Sequence, residues 1–292
     1  MKVICKLSEE AKVPGEDWDS LMWHNGKLFS GGYANGKIKD FCSLGVESGL
    51  ETFKEFDAHE YPIYHMTPGS GSTFFTSSSD CTIRHWDEAA NGSFNLLATL
   101  EGHEEPPRKL RFFNGRLYSG DEKGYVKVWE DGKCLGTIET MEEIWDLLAI
   151  QDHFITVRHI DVTVYSITQR DDKLRGSVRT SIPGRAPLLT VGDRLCCIDR
   201  KDNVVNVHEL NKPGTALLGS LKGHEALINA IVVVSNLLVT GSSDKNLIVW
   251  NLENFSQEGK ISVDGYVNAV VSTPDGTVYA AGENKFIACI KL

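Results

Sequence analysis

The sequence holds no unbroken apolar stretch long enough to cross a bilayer. The longest candidate, Leu227 to Val239, is interrupted by Asn229, Ser235 and Asn236, whereas a spanning helix needs ~20 apolar residues. The opening MKVICKLSEEAK is punctuated by charge and lacks the apolar centre of a secretory signal. Seven cysteines occur without a CxxC pair, an odd count that, with no export signal, reads as reduced thiols. HExxH, GxSxG, the phosphate-binding GxxxxGK followed by Ser or Thr, and a strand–GxGxxG–helix pattern are all missing. A basic surplus is missing as well. The formal charge of -10 argues against a protein that coats nucleic acid, since that affinity comes largely from basic surface. Finally, no segment carries an amphipathic helical period.

What remains is repetition. FFTSSSDCTIRHWDE begins at Phe74 and LVTGSSDKNLIVWNL at Leu238. Their aspartates, Asp80 and Asp244, lie 164 residues apart, four times 41. Stepping along the chain near that interval places Phe41, Trp86, Trp129, Tyr165, His208, Trp250 and Ile290 in the tryptophan slot, with spacings of 45, 43, 36, 43, 42 and 40. Seven units therefore account for nearly all of the 292 residues, and residues 1–292 are read as a single domain.

Within each unit, short β-branched segments are separated by turn residues. The sixth has LINAIVVV, LLVTGS, LIVWNL and GKISV; the third has LRFF, RLYS, YVKVW and LGTIE, joined by NG, DEKG and EDGK. Four strands at a period near 40 predict an all-β protein, a seven-bladed β-propeller of four-stranded blades. The seventh unit stops one strand short, while KVICKL at Lys2 to Leu7 is surplus. That segment is expected to close the ring as the outer strand of the last blade, removing an unpaired edge.

Units two and six resemble the WD (tryptophan–aspartate) repeat family of β-propellers. The markers are AH at Ala58-His59, GH at Gly102-His103 and Gly223-His224, and WD at Trp86-Asp87, which becomes WE at Trp129-Glu130 and WN at Trp250-Asn251. The resemblance implies a structural relay of His59, Thr76, Asp80 and Trp86 in unit two, and of His224, Thr240, Asp244 and Trp250 in unit six. Each buried polar group of such a set needs a partner. A His–Asp–Thr catalytic triad is the competing reading, but the set occurs twice and catalytic groups seldom come in structural duplicate. Unit three keeps His103, Ser119 and Trp129 with Lys123 in the aspartate slot; unit five keeps Asp202 with Ile198 and His208 in the other two. Units one, four and seven lack most of the set.

No catalytic, cofactor or metal site is expected. Cys196 and Cys197 are adjacent on a predicted strand, one side chain inward and one outward. His153 and His159, across a predicted turn, fall short of the four ligands zinc wants.

WD-repeat propellers commonly bind peptides on the face where the first strand of each blade begins, and the resemblance implies the same here. Aligned on HEALINA, that face carries Tyr266, Trp18, Tyr33 and Tyr64 on blades seven, one and two. It carries Arg108, Arg158, Arg185 and Lys201 on blades three to five, with Ile144, Asp146, Leu227 and Asn229 also on the rim. Aromatics and arginine are enriched in binding hot spots. The expected partner is a protein or peptide whose apolar part lies over the aromatics and whose acidic or phosphorylated part lies near the basic residues. The opposing reading is that the aromatics cap blade ends and the arginines pair with local acids such as Asp146 and Glu122.

The expected function is a non-catalytic scaffold or adaptor, a monomeric propeller within a larger complex, cytoplasmic or nuclear, without nucleic acid or membrane as partner. A second possibility is substrate recognition or ubiquitin binding in the ubiquitin system. Against its ligase form, 292 residues leave no room for an adaptor-binding domain, and the WDxR ending is replaced by WDEA, WEDG and WNLE. A propeller enzyme with a site in the central channel ranks last, because the sequence shows no carboxylate or histidine cluster to build one.

Overall fold

The computed structural model describes residues 2–6, 18–32, 36–43, 50–140, 142–158, 161–170, 173–210, 215–283 and 286–292. All regular structure among them is strand, in seven four-stranded antiparallel sheets. The chain opens with β1 (Lys2–Lys6). Blade one is β2 (Trp18–His24), β3 (Lys27–Gly32), β4 (Lys37–Ser43) and β5 (Leu50–Asp57). Blade two is β6 (Ile63–Pro68), β7 (Thr73–Ser78), β8 (Ile83–Glu88) and β9 (Phe94–Leu100). Blade three is β10 (Pro107–Phe113), β11 (Arg116–Asp121), β12 (Tyr125–Glu130) and β13 (Lys133–Glu139). Blade four is β14 (Asp146–Ile150), β15 (His153–Val157), β16 (Asp161–Arg170) and β17 (Lys173–Pro183). Blade five is β18 (Arg185–Val191), β19 (Arg194–Ile198), β20 (Val204–Glu209) and β21 (Leu217–Lys222). Blade six is β22 (Ile228–Val234), β23 (Leu237–Ser242), β24 (Asn246–Asn251) and β25 (Gln257–Ser262). Blade seven joins β26 (Val267–Ser272), β27 (Thr277–Gly282) and β28 (Ile287–Lys291) to β1, in the order β26-β27-β28-β1.

The architecture is the one that the repeat predicts, down to its register. Each tryptophan-slot residue lies on a third strand, opposite an apolar residue of the second. Trp86 faces Phe74, Trp129 faces Leu117 and Trp250 faces Leu238; the unlike Tyr165 faces Phe154 and Ile290 faces Val278. In blades one to six the pairing with the fourth strand skips a register at this residue. Such a skip adds local twist. Slots that share no chemistry therefore share a backbone position.

The core is a ring of apolar layers, each between two neighbouring blades. Met22, Phe29 and Ile38 of blade one meet Ile63, Met66, Phe74 and Trp86 of blade two. Val239, Leu247 and Val249 of blade six meet Val267, Val278 and Ile290 of blade seven. The last layer joins Leu28 of blade one to Tyr279, Ala281, Ile287 and Cys289 of blade seven, with Trp23 stacked on Tyr279 at 5.7 Å. Close approach sets residue choice on the second strands. A Cβ on Gly120 would lie 2.6 Å from Ile144, and one on Gly241 would collide with Val267. Those two glycines let the next inner strand dock.

Because both faces of a blade are covered, neither neighbouring thiol points outward. Cys196 joins the layer between blades five and six and Cys197 the layer between four and five, both fully buried. Burial pushes each thiol up to about 12. The sequence expectation of one inward and one outward residue assumed a sheet with a solvated face.

Closure rests on β1, which pairs antiparallel with β28 from Lys2 opposite Lys291 to Lys6 opposite Ala288. Deleting residues 1–6 should therefore lower the melting temperature by about 10 °C or more, read by calorimetry. An unchanged melting temperature would refute a closing role for this strand.

Candidate functional site

Three relays lie buried between strands. In blade two, His59 Nδ1 is 2.8 Å from Asp80 Oδ2, His59 Nε2 is 2.7 Å from Thr76 Oγ1, and Trp86 Nε1 donates to the same hydroxyl at 3.0 Å. Blade six repeats this with His224, Asp244, Thr240 and Trp250 at 2.8, 2.7 and 2.9 Å. The order of the bonds follows from what each group can do. An indole N–H only donates, so the hydroxyl oxygen accepts it, and the same hydroxyl is bonded to Nε2. Nδ1 is bonded to the carboxylate. Every polar side-chain atom of the relay has a partner, and the hydroxyl is wholly buried. This is a bracing element with no exposed nucleophile.

Blade three has the full relay, with its carboxylate from an unexpected position. Lys123, which spacing to Trp129 puts in the aspartate slot, instead pairs with Glu104 at 2.9 Å. Asp121 does the work: Oδ2 is 2.7 Å from His103 Nδ1, while Oδ1 accepts the Lys123 and Tyr125 N–H groups at 3.1 and 2.8 Å. Ser119 Oγ bridges His103 and Trp129 at 2.7 and 2.8 Å. Asp121 ends the second strand, where blades two and six have Ser78 and Ser242. In blade five the loop carboxylate is Asp199 rather than Asp202, accepting the Lys201 and Asp202 N–H groups at 2.9 and 3.1 Å. His208 there meets only the Thr215 carbonyl, at 3.3 Å, so no relay forms.

The rim residues are placed by register. Between first and second strands the pairing skips one residue in several blades, passing over Tyr64, Arg108, Asn229 and Asn268. The skipped residue is left out of the ladder, where bulges re-aim side chains. Arg108 lies 4.0 Å over the Tyr64 ring and also contacts Glu122. Arg158 pairs with Glu142 at 3.6 Å. Arg185 holds the Asp199 and Asp202 carbonyls at 2.9 and 3.0 Å, bracing the blade-five loop. The Lys201 side chain is exposed. Tyr266 is 43% exposed with the Lys245 ammonium 5.3 Å from its ring. Tyr33 lies outside the described residues, as does His159; Trp18 is placed only as the first residue of β2.

Sequence alignment passed over Trp145, which is 48% exposed between Ile144 and Asp146. Blade four lacks the register skip, since β14 pairs continuously from Asp146. Trp145 donates its backbone N–H to Val157 at 2.9 Å. It is a shared wall of two depressions. One, of about 430 Å³, includes Tyr64, Arg108 and Glu143; the other, of about 390 Å³, includes Arg158, Arg185 and Leu227. A cavity of about 500 Å³ at the opposite rim, between blades two and three, has His85 and Asp131 as its titratable lining groups among the described residues.

The central channel, about 260 Å³, is lined from the first strands of all seven blades and carries His65, Lys109, Arg111 and Asp146. The sequence predicts no carboxylate or histidine cluster in the channel; the structure places one carboxylate and one histidine there beside two cations. Asp146 is 2% exposed; Oδ1 accepts the Leu147 N–H and Oδ2 the Leu188 N–H, each at 2.8 Å. Lys109 Nζ and Arg111 Nη2 stand 3.5 and 3.4 Å from Oδ1. Burial lowers the Lys109 pKa against the pull of Asp146, and burial with the two cations holds His65 well below the ordinary histidine value. Among the described residues no group of three His, Cys, Asp or Glu side chains is arranged to hold a metal.

Fold and relays together define a class, the closed seven-bladed propeller braced by His–Asp and Trp–hydroxyl bonds. The chain carries WD repeats in blades two and six. The WD domain, G-beta repeat, matches residues 50–87 and 215–251, which include the tryptophans of blades two and six. The WD40 β-propeller domain of Doa1 superposes with a TM-score of 0.80 at 16% identity, over 99% of this chain and 96% of that one. Among curated proteins, the chain is 28% identical over 200 residues to zinc finger CCCH domain-containing protein 17 of Oryza sativa subsp. japonica, covering 64% of this chain. It is 21% identical over 266 residues to nuclear distribution protein PAC1 of Candida albicans, covering 67% of this chain. The match spans 45% and 54% of those relatives, so it reaches only about half their length. WD-repeat propellers are in general protein-interaction scaffolds.

Thr240→Val should strand both His224 Nε2 and the Trp250 N–H. The expected loss is about 2 kcal/mol or more, since each unsatisfied buried group costs ~1–3 kcal/mol. Thr240→Ser should retain most of the stability, as Ser119 serves in blade three; equal loss in both variants would refute the relay's role. Acid should act in two stages, read as melting temperature against pH. Burial lowers the pKa of His224 despite Asp244, and His65 is low as above. Below about 6.5 the unfolded chain therefore gains protons that the folded chain does not, and stability falls between about pH 7 and 5. Burial would raise Asp80, but bonds from His59 and Thr82 bring it from 3.8 to about 2. Its contribution is present above about pH 4 and lost as pH falls toward 2. A flat profile from pH 7 to 5 would contradict the lowered values of His224 and His65.

Proposed function

We propose that this protein is a non-catalytic scaffold that binds a segment of another protein across the rim of blades two to six, anchored on Trp145. The observation that carries this is the placement of a half-exposed tryptophan between two depressions, beside a guanidinium stacked on a tyrosine. Trp, Tyr and Arg are the residues that dominate binding energy, because they combine large contact area with directed polar groups. The second depression continues to Leu227, 52% exposed, and an extended segment lying over Trp145 would reach both.

An aromatic-binding half over blades seven, one and two remains part of the proposal through Tyr266, and the acidic part of the segment is assigned to the basic side of the rim. The exposed Lys201 fits that side, whereas Arg108 and Arg158 would exchange their present carboxylates for the partner's. We further propose a monomeric propeller acting within a larger complex in the cytoplasm or nucleus. Buried thiols with raised pKa values support a reducing compartment, being suited to remain unpaired.

Affinity purification from the native cell should recover partners that Trp145→Ala loses by about tenfold or more, for a hot spot worth ~2 kcal/mol. Leu97→Ala, on the exposed outer strand of blade two, should leave recovery unchanged. Equal recovery with wild type and Trp145→Ala would refute the assignment of this rim.

A further inference from the structure

We propose that the mouth of the central channel is a site for one carboxylate side chain of the bound segment, received by Lys109 with Arg111 behind it. This rests on the rim being the partner-binding face and names what enters beneath Trp145.

Lys109 is where the open spaces meet: its side chain lines both rim depressions and the channel. Among the described residues its one ionic partner is Asp146, at 3.5 Å. That is beyond the 2.7–3.2 Å of a formed N–H···O bond. Arg111 Nη1 donates to the Leu110 carbonyl at 3.2 Å, but its ionic contact is as loose, with the guanidinium 3.4 Å from Asp146 and from His65 Nε2. Asp146 cannot turn to serve either cation better, because two backbone N–H groups fix its oxygens. The channel therefore holds ammonium and guanidinium donors in a narrow, partly dehydrated space with unspent bonding capacity.

The charge balance selects the ligand. Lys109 and Arg111 bring two positive charges and Asp146 one negative, while His65, kept well below its ordinary pKa, adds none at neutral pH. Outside, the rim cations already face Glu122 and Glu142. Among the described lining residues the uncompensated charge is thus about one, in a setting where an unpaired charge is costly. One carboxylate neutralises it. A phosphoryl group, carrying about -1.5 to -2, would leave a buried negative excess. The volume agrees: about 260 Å³ lies below the ~300–1,000 Å³ of sites that enclose a whole small ligand.

The test uses three synthetic pools of acetylated heptapeptide amides, randomised except for a central Glu, Gln or phosphoserine, passed over the immobilised full chain. The Glu pool should be retained about fivefold more than the Gln pool, with phosphoserine not exceeding Glu. Lys109→Met should abolish that preference and Lys109→Arg should keep it, with folding of each checked by circular dichroism. If Lys109→Met does not fold, Lys109→Gln replaces it. Equal retention of Glu and Gln, phosphoserine ahead of Glu, or a preference that survives loss of the Lys109 charge each overturns the carboxylate site. Trp145→Ala separates the two ideas. Retention that depends on Trp145 without a Glu preference leaves the rim reading standing and removes this one. Retention indifferent to Trp145 removes the rim reading and leaves the carboxylate site without its foundation.

Discussion

Everything in this molecule depends on one constraint: each blade is a sheet with two apolar faces, and only its neighbours can cover them. The layer between blades one and two is built from Met22, Phe29 and Ile38 on one side and Ile63, Met66 and Phe74 on the other. Neither set is buried without its opposite. A chain of such units is stable only if the last covers the first. That is why Leu28 of blade one packs with Tyr279 and Ile287 of blade seven, and why β1 completes the seventh sheet. Close approach between layers then dictates small residues at Gly120 and Gly241, where a side chain would collide with the next inner strand.

The relays answer a second requirement that follows from the first. A propeller blade must join its outer loop to its interior without leaving polar atoms unpaired in the apolar layers. A hydroxyl that accepts from an indole and is bonded to an imidazole, itself bonded to a loop carboxylate, carries hydrogen bonds from Trp86 in the layer to Asp80 at the edge. The loop end is also organised: Asp80 Oδ1 accepts the Thr82 N–H and hydroxyl while Oδ2 serves His59. Asp244 divides its oxygens in the same way between Asn246 and His224. Among the described residues blades one, four, five and seven show no such relay, so it is a reinforcement laid over apolar packing.

The fold was legible because period and strand pattern are written along the chain, and because the relay needs the same few residue types wherever it occurs. Its details were less so. Asp121 escaped a spacing rule because a carboxylate can reach the imidazole from the end of the second strand as well as from the turn beyond it. Trp145 escaped an alignment on alternate positions because blade four enters its inner strand without the register skip that its neighbours share. Adjacent Cys196 and Cys197 looked like one buried and one exposed residue, since nothing in a single strand reveals that the other face will be covered too. Trp18 was chosen from its aligned position alone, and its backbone does begin β2.

Lys109 and Arg111 show a different limit. Within PRKLRFF they alternate with the buried Leu110, a pattern that reads as a solvated face. In an isolated antiparallel sheet that would be the end of the matter. On the inner strand of a closed ring, the polar direction points toward the axis, where six other strands bring their own alternate residues. His65 and Asp146 arrive from neighbouring blades by the same rule. The charge cluster is thus a product of closure, assembled from residues that look unremarkable one strand at a time. Its geometry is asymmetric. The carboxylate is held by backbone N–H groups while both cations remain at long range. A structural ion pair has no need of that looseness, and a site that must accept an anion does.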